Sequence, residues 1–296
     1  NCLDSIQKVA QHSEDYEILI VNNGKEGFSP LRINSTILTT RIISEFRNHG
    51  YGSANNLGVK HTSGKMVVFI NPDIKLRTDI TKAIQYLKDD PTIGLVGVRL
   101  LNPDGTWQRS YGNFPTLWRK FCDVFILPKI FRGIRLFKGI HEYVEYTDPT
   151  EVDWVSGAFM IIKREAFEQV NGFDEDYFLY LEDVDLCKRI KDKGWKVVYY
   201  PYVEAIHYLG GETKMSSTFV IDHGDSPYIY FKKHFGKWSL PILWTLILTE
   251  AFFKFFIFGS ISIVRKKYKK SFSMYWNTLK FSLLKSPLVI YKLIRH

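Results

Sequence analysis

The stretch GFDEDYFLYLEDVDLCKRIKDKGWKVVYYPYVEAIH, Gly172 to His207, sets carboxylates among Phe, Tyr and Leu and closes on a lone imidazole. A solvated acidic run would not carry that much aromatic surface. A carboxylate partly shielded by Phe178, Tyr180 and Leu181 has a raised pKa, which suits Asp183 to accept a proton from a hydroxyl. Glu182 beside it can orient that carboxylate or hold the hydroxyl group. Asp185 points elsewhere on the helix surface and reads as an ordinary helix acid. A second pairing is more distant in the chain: Asp73 and His207 offer oxygen and nitrogen to a divalent cation and leave positions open for phosphate oxygens.

These residues need elements to position them. FLYLEDVDLCKRIKDKG predicts a helix entered through an acidic first turn, where the helix dipole favours negative charge. Gly194 ends it, and WKVVYYPYVEAIH returns as a strand with His207 near its far end. Upstream, short apolar runs bounded by turn residues (YEILIVNNG, STILTTRI, KMVVFINPD, GLVGVRLLNPDG) alternate with helical patterns such as SANNLGVKHT and TDITKAIQYLKDD. Strands alternating with helices predict an α/β fold with a parallel sheet and crossover helices. Ligands of such sheets bind outside the carboxyl ends of the strands. There lie Asn22, Asn23 and Gly24, then Asn71, Pro72 and Asp73, with RNHGYGSANNLG, Arg47 to Gly58, between them. Backbone donors from Gly50 to Ala54 and the amides of Asn55 and Asn56 suit a nucleotide. Later, VDWVSGAFMIIKREAFEQVNGFDE reads as strand, helix and turn, with Ser156 and Gly157 where a strand can approach a ligand closely. The intervening FPTLWRKFCDVFILPKIFRGIRLFKGIHEYVEYTDPTE breaks the alternation, as a lid, an acceptor-facing flap or plain packing.

Composition limits the function classes. With 45% hydrophobic and 16% aromatic residues among 296, the chain has material for a sizeable core. Cys2, Cys122 and Cys187 lie far apart, which fits a reducing compartment better than a disulfide framework or a zinc site. Ten of the 40 Lys and Arg residues, but one of the 31 acids, fall within 239–296, so this tail holds the whole net charge of +9. The neutral body offers no basic face, which argues against nucleic acid as a partner. The tail starts with SLPILWTLILTEAFFKFFIFGSISIV, long enough to cross a bilayer at roughly 20 residues. It carries Glu250 and Lys254 at a spacing that lets them pair on one helix face. RKKYKK and a second stretch mixing Trp, Phe and Leu with Lys280, Lys285, Lys292 and Arg295 follow, as in interfacial helices that attract anionic lipid. The tail reads as a membrane-docking element lying on the bilayer; a spanning helix, or a helical pair packed on the body or on a second subunit, are the alternatives. The domains expected are 1–238, catalytic, and 239–296, apolar and basic.

EILIVNNG, RNHGYGSANNLGVKHTSGKMVVFINPD and WVSGAFMIIKREAFEQVNGFDEDYFLYLEDVDLCKRIKDKGWKVVYYPYVEAIHYLGG together resemble the family 2 glycosyltransferases, within them the rhamnosyltransferase-like branch. The resemblance covers about Asn1 to Gly236, and GFDEDYFLYLEDVDLC with the downstream His is its most specific part. It implies the GT-A fold, a Rossmann-like mixed sheet of nucleotide-diphospho-sugar transferases, and inverting, metal-dependent transfer from a dTDP- or UDP-linked sugar to a glycan or polyprenyl-linked acceptor. L-rhamnose is the donor sugar implied, with galactofuranose and N-acetylhexosamine as competitors, and a non-catalytic nucleotide- or sugar-binding module is the rival class. Carried over by position, Asp183 is the base with Glu182 beside it, and Asp73 and His207 hold Mg2+ or Mn2+. Asn22, Asn48, Gly50, Tyr51, Asn55, Asn56, Asn71, Trp154, Ser156 and Gly157 line the substrate site. The resemblance also implies polysaccharide synthesis at the cytoplasmic face of the cell membrane. Two departures stand out: Asn22 occupies a position where an Asp is common, and the family's opening strand is absent before Asn1, so the chain is expected to be incomplete at its N-terminus.

Overall fold

The computed structural model describes residues 2–9, 16–24, 39–45, 47–131, 133–140, 144–208, 224–264 and 269–284, with single positions at 287, 290 and 292. Two compact units divide the chain, Asn1–Phe114 with Glu142–Tyr208, and Pro115–His141 with Leu209–His296.

In the first unit the elements run α1 (Cys2–Val9), β1 (Glu17–Asn22), β2 (Thr39–Ser44), α2 (Tyr51–Lys60), β3 (Met66–Ile70), β4 (Ile74–Leu76), α3 (Thr81–Asp89) and β5 (Ile93–Leu101). The short strands β6 (Trp107–Gln108) and β7 (Tyr111–Gly112) follow. Two helices of the second unit, α4 (Leu117–Val124) and α5 (Leu127–Ile130), interrupt here. The first unit resumes with β8 (Thr150–Glu151), β9 (Trp154–Val155), β10 (Phe159–Lys163), α6 (Arg164–Gln169), α7 (Glu182–Asp192) and β11 (Lys196–His207). The expected strands and helices therefore form, with STILTTRI displaced toward Thr39–Ser44 and its residues 35–38 outside the described residues.

The sheet is mixed, as the resemblance implies, rather than the parallel one that alternation alone predicts. The main sheet has the order β3-β10-β5-β11-β4, with β6 on β5 and β8 on β11, while β1 and β2 pair in parallel as a separate sheet. β10 lies antiparallel to both β3 and β5, and β11 runs parallel to β5 and antiparallel to β4. The turn at Ser156 and Gly157 sends β10 back between two strands that a βαβ reading would make neighbours.

Alternation along the central strands sends successive side chains to opposite faces. Leu95, Met160, Ile162, Val197 and Tyr199 pack on one face with Leu186, Cys187 and Ile190 of α7. Val96, Val98, Phe159, Ile161, Val198 and Tyr200 face the other way, against Ala83, Ile84 and Leu87 of α3. Each such side chain contributes about 1.5–3 kcal/mol on burial, so two covered faces make the sheet a rigid platform. At Gly97 on β5, an added Cβ would lie 2.4 Å from the Val155 Cβ. Only glycine lets β9 cross that closely, and this crossing places Trp154 to Gly157.

The second unit contains α4, α5, a 3-10 turn (Arg135–Phe137), and the helices α8 (Ser226–Phe235), α9 (Ser239–Val264) and α10 (Lys269–Leu284). The Trp244 indole donates to the Ser282 carbonyl at 2.7 Å, and the Phe258 and Tyr275 rings stack at 5.3 Å, so α9 and α10 form an antiparallel pair. Glu250 binds Lys254 as its spacing predicts, and Lys120 of α4 binds the same carboxylate. Residues 265–268 of the basic run, with Lys285 and Arg295, lie outside the described residues.

Candidate active site

α7 begins abruptly. Tyr180 and Leu181 take successive positive φ values of 67° and 66°, a left-handed entry that non-glycine residues rarely adopt. The turn delivers Glu182, Asp183 and Asp185 into the first helical turn, and Arg189 and Lys191 complement the dipole at the other end. The three acids have different fates. Asp185, fully buried, holds the Arg189 guanidinium at 2.6 Å, and that guanidinium also donates to the Val170 and Gly172 carbonyls, a structural clamp.

Asp183 is half-buried and accepts two backbone N–H bonds, from Gly157 at 2.9 Å and from Val184 at 2.8 Å. Glu182 is 4% exposed, and its Oε2 has no hydrogen-bond partner among the described residues. Burial, then the neighbouring Asp183, pushes the Glu182 carboxyl well above its ordinary value. Burial also raises Asp183, but the bonds from Gly157 and Val184 pull it back. With two donors on one carboxylate and none on Glu182 Oε2, the negative charge belongs on Asp183 and the proton on Glu182. Phe178 and Tyr180, expected to shield the acid, are 44% and 37% exposed. The shielding comes instead from Tyr51 and Gly157: the Tyr51 hydroxyl donates to the Gly157 carbonyl at 2.6 Å, and a Cβ on Gly157 would sit 3.4 Å from the Asp183 Cβ. Burial, with Glu182 and Asp183 nearby, keeps the Tyr51 phenol protonated.

Asp73 and His207 meet, although 134 positions separate them. β11 pairs with β4 so that His207 lies opposite Ile74, and His207 Nε2 comes 3.3 Å from Asp73 Oδ1. On the other side of the ring, Nδ1 lies 2.8 Å from Gln108 Oε1. That contact fixes the ring with Nε2 toward the carboxylate. A ring nitrogen and a carboxylate oxygen side by side fit a divalent ion with further positions for phosphate oxygens. No group of three or more His, Cys, Asp or Glu is placed to hold a metal among the described residues, so Asp183 is not a third ligand. The link between the two pairs is the strand end: Gly157 holds Asp183, and the next residue, Ala158, accepts the Asn71 N–H at 3.0 Å, two residues before Asp73.

The expected substrate contacts divide. Asn22 Oδ1 accepts from Gly24 N at 3.2 Å, a local turn. Asn48 Oδ1 accepts from Gly50 N at 2.9 Å and from Asn23 Nδ2 at 3.0 Å. Of the backbone donors expected from Gly50 to Ala54, Gly50 donates to Asn48, Tyr51 to the Phe178 carbonyl at 3.0 Å, and Ala54 to the Gly50 carbonyl at 3.3 Å. Asn55 Nδ2 donates to the Tyr51 carbonyl. Asn56, expected to touch substrate, is buried; it donates to Phe173 O and Glu175 Oε1 and accepts from Phe173 N, each at 2.9 Å. Its amide ties α2 to the loop before α7. Trp154 donates to the Asn113 carbonyl, and Ser156 Oγ accepts from Ala158 N, so both brace the β9 turn. Gln108 was not anticipated; a polar residue on a two-residue strand carries no sequence signal, and only the pairing of β6 with β5 brings it to the imidazole.

A mixed sheet covered on both faces, with acids gathered at its strand ends, is the GT-A arrangement. Solved structures share the fold: mannosyltransferase PcManGT from Pyrobaculum calidifontis in complex with GDP-Man and Mn2+ aligns with a TM-score of 0.50 at 16% identity, over 96% of this chain and 81% of that one. GalNAc-T7 with UDP, GalNAc and Mn2+ also aligns at 0.50, with 13% identity over 74% of this chain and 44% of that one. The sequence profile of glycosyl transferase family 2 matches residues 1–170, and that of the N-terminal domain of galactosyltransferase matches residues 142–210. N-acetylglucosaminyl-diphospho-decaprenol L-rhamnosyltransferase of Mycobacterium tuberculosis is 30% identical over 246 residues, 77% of this chain and 79% of that protein. Rhamnosyltransferase WbbL of Escherichia coli K12 is 34% identical over 170 residues, 54% of this chain and 61% of that protein. The chain belongs to glycosyl transferase family 2 and is rhamnosyltransferase-like.

Proposed function

We propose that this chain transfers a sugar, L-rhamnose in the first instance, from a dTDP- or UDP-linked donor to a hydroxyl of a glycan or polyprenyl-linked acceptor, with inversion, in cell-surface polysaccharide synthesis. One observation carries the reading: two adjacent carboxyls of opposite hydrogen bonding, Asp183 holding two backbone N–H groups and Glu182 a buried oxygen without a partner among the described residues. Asp183 keeps lone pairs beyond those its two donors use, and one accepts the acceptor's hydroxyl proton. The acceptor oxygen forms a bond to the anomeric carbon as the bond from that carbon to the diphosphate oxygen breaks, and the electron pair leaves with the diphosphate. General-base help of this kind is worth about 10²- to 10⁴-fold. Glu182, holding its proton, leaves Asp183 the only charge of the pair and offers a hydrogen bond to a sugar or acceptor oxygen. Asp73 and His207 would hold Mg2+ or Mn2+, which supplies neutralisation of charge on the departing diphosphate. Gln108 fixes the imidazole for that task.

The lipid-linked acceptor is supported by α9, a helix with a 22-residue window, Ser239–Ser260, long and apolar enough to cross a membrane, and by the decaprenol acceptor in the name of the mycobacterial relative. The chain would then work at the cytoplasmic face of the membrane. The match of residues 142–210 to the galactosyltransferase profile supports a galactosyl donor as the second candidate. The test uses the purified full chain with Mg2+ or Mn2+, a panel of dTDP-rhamnose, UDP-galactofuranose and UDP-N-acetylhexosamines, and a polyprenyl-linked acceptor, reading product and anomeric configuration by NMR. Asp183→Asn should bind donor normally and turn over about 10²- to 10⁴-fold more slowly. Near-normal turnover of that variant, or retention of configuration, would sink the mechanism; no transfer with any donor would favour a binding module.

A further inference from the structure

Charge and exposed apolar surface fall on the same unit. Twenty of the 40 Lys and Arg residues but five of the 31 acids lie in Pro115–His141 and Leu209–His296, so the second unit carries +15 and the first −6. The tail is not alone in this: Pro115–His141, the excursion whose role the sequence left open, holds six Lys and Arg residues and a single acid, Asp123. Of the 22 large apolar side chains exposed among the described residues, sixteen belong to this unit.

The excursion closes on itself. The Trp118 indole N–H donates to the Leu136 carbonyl at 2.7 Å, and Asp123 Oδ2 accepts the Ile140 N–H at 3.0 Å, so α4 and the turn at Arg135–Phe137 are tied together. Between these ties Phe125, Ile126, Ile130, Phe131, Ile134 and Leu136 present large side chains to solvent, with Lys129 and Arg135 exposed among them. Ile126 does so at φ 59°, a left-handed conformation that β-branched residues rarely adopt. Large apolar side chains crowded outward on one short segment, with exposed cations between them, have the composition of an interfacial insertion rather than of a core.

α9 continues this face. Phe125 meets Phe253 of α9 at 6.4 Å, and Phe252, Phe256 and Ile257 are exposed on the same helix. Lys120 of α4 holds Glu250, which lies in the middle of the apolar window Ser239–Ser260. Were α9 to cross a bilayer, the irregular backbone after α4 would stand near mid-membrane, where N–H and C=O groups facing lipid are not tolerated. Laid along one leaflet, the same helix shares a depth with α5 and the turn, and their cations reach the headgroups.

We propose that residues 125–136 dip into the interface of an anionic bilayer and, with α9 lying along the same leaflet, dock the second unit on it. The partner is the lipid surface itself, whose negative potential answers the charge of this unit. The docking stands independently of sugar transfer and narrows the proposed membrane location to a face that the excursion shares with the tail.

The test is flotation of the full chain, diluted from detergent, with vesicles of phosphatidylcholine alone or with added phosphatidylglycerol. Wild type should bind the phosphatidylglycerol vesicles more tightly by roughly tenfold, and Lys129→Gln with Arg135→Gln should remove most of that preference. Ile130→Asn with Leu136→Asn should weaken binding by roughly tenfold or more, since two large side chains no longer reach hydrocarbon. Ile130→Leu with Leu136→Ile, and the exposed control Val144→Asn in the first unit, should bind as wild type. Ser273→Cys, exposed near the start of α10, should react with a membrane-impermeant maleimide on intact vesicles, above the wild-type background. Protection of that cysteine until detergent is added makes α9 a spanning helix and overturns the proposal. Unchanged binding of the double Asn variant leaves the tail as sole anchor and overturns it, as does equal binding to both vesicles. A chain that self-associates through residues 125–136 and ignores every vesicle makes the face a protein interface and overturns it too.

Discussion

Gly50→Ala tests how tightly the start of α2 is held against the Phe178 backbone. Gly50 has φ 93° and ψ 174°, a region essentially closed to side-chain-bearing residues. A Cβ there would lie 2.2 Å from the Phe178 carbonyl oxygen and 2.9 Å from the Phe178 carbonyl carbon and Cα, all backbone atoms. Relief needs a shift of about 1 Å, since such contacts rarely close below about 3.2 Å. The same shift stretches the Tyr51 N–H bond to Phe178 O, now 3.0 Å, beyond hydrogen-bonding range. Backbone strain of about 1–3 kcal/mol and a lost hydrogen bond of about 0.5–1.5 kcal/mol together give roughly 2–4 kcal/mol. For a unit of this size that lowers the melting temperature by roughly 5–15 °C. Because Tyr51 also holds Gly157, which holds Asp183, misplacement on this scale should cost about 10²-fold in turnover. Gly105→Ala is the control: φ is 83°, yet nothing lies within 4 Å of its added Cβ, so it carries strain of about 1–2 kcal/mol without the clash. Calorimetric melting and donor kinetics on both variants decide the matter. Equal melting temperatures, with turnover of Gly50→Ala unchanged, would refute the reasoning.

Glu182→Gln should separate from wild type only at high pH. The folded chain keeps the Glu182 proton to a pH where the unfolded chain, near pKa ~4.3, has released it, so stability falls as pH rises from there toward the raised folded value. The variant should therefore melt with wild type near pH ~4 and above it near pH ~8; the opposite order means Glu182 is ionised and paired. Gln108→Leu frees the His207 ring and should weaken Mn2+-dependent binding of a nucleoside diphosphate about 10- to 100-fold by titration calorimetry, with little change in melting; unchanged affinity excludes Gln108 as the group that orients a metal-binding imidazole. In the second unit, Lys120→Ala and Glu250→Ala should be non-additive by about 0.5–3 kcal/mol when unfolding is measured in detergent micelles. Additive losses would mean that the two side chains do not interact.

Local pattern reached far in this chain. The acidic first turn, apolar spacing and terminal Gly194 of α7 are all near neighbours, so its helix and the clustering of Glu182, Asp183 and Asp185 were legible from residue order. The apolar runs that become β5, β10 and β11 were legible for the same reason, and so was the Glu250 pairing with Lys254 four positions on. Direction of pairing was not. Alternation with helices pointed to parallel neighbours, whereas β10 entered antiparallel through a turn whose geometry rests on Gly97 admitting Val155, two residues far apart in the chain.

Residue types and spacing alone thus determined which elements form, that carboxylates stand at a helix start, and that the basic excess belongs to the tail, because each depends on side chains within a few positions of one another. Tertiary structure decided which of two adjacent acids holds the charge, since the donors to Asp183 include Gly157, 26 positions away. It also decided that Asn56 braces a loop 117 positions distant, that Gln108 orients His207, and that Lys120 joins Glu250. Those outcomes turn on backbone groups and long-range partners, and a hydrogen bond between distant segments has no period in the sequence to announce it.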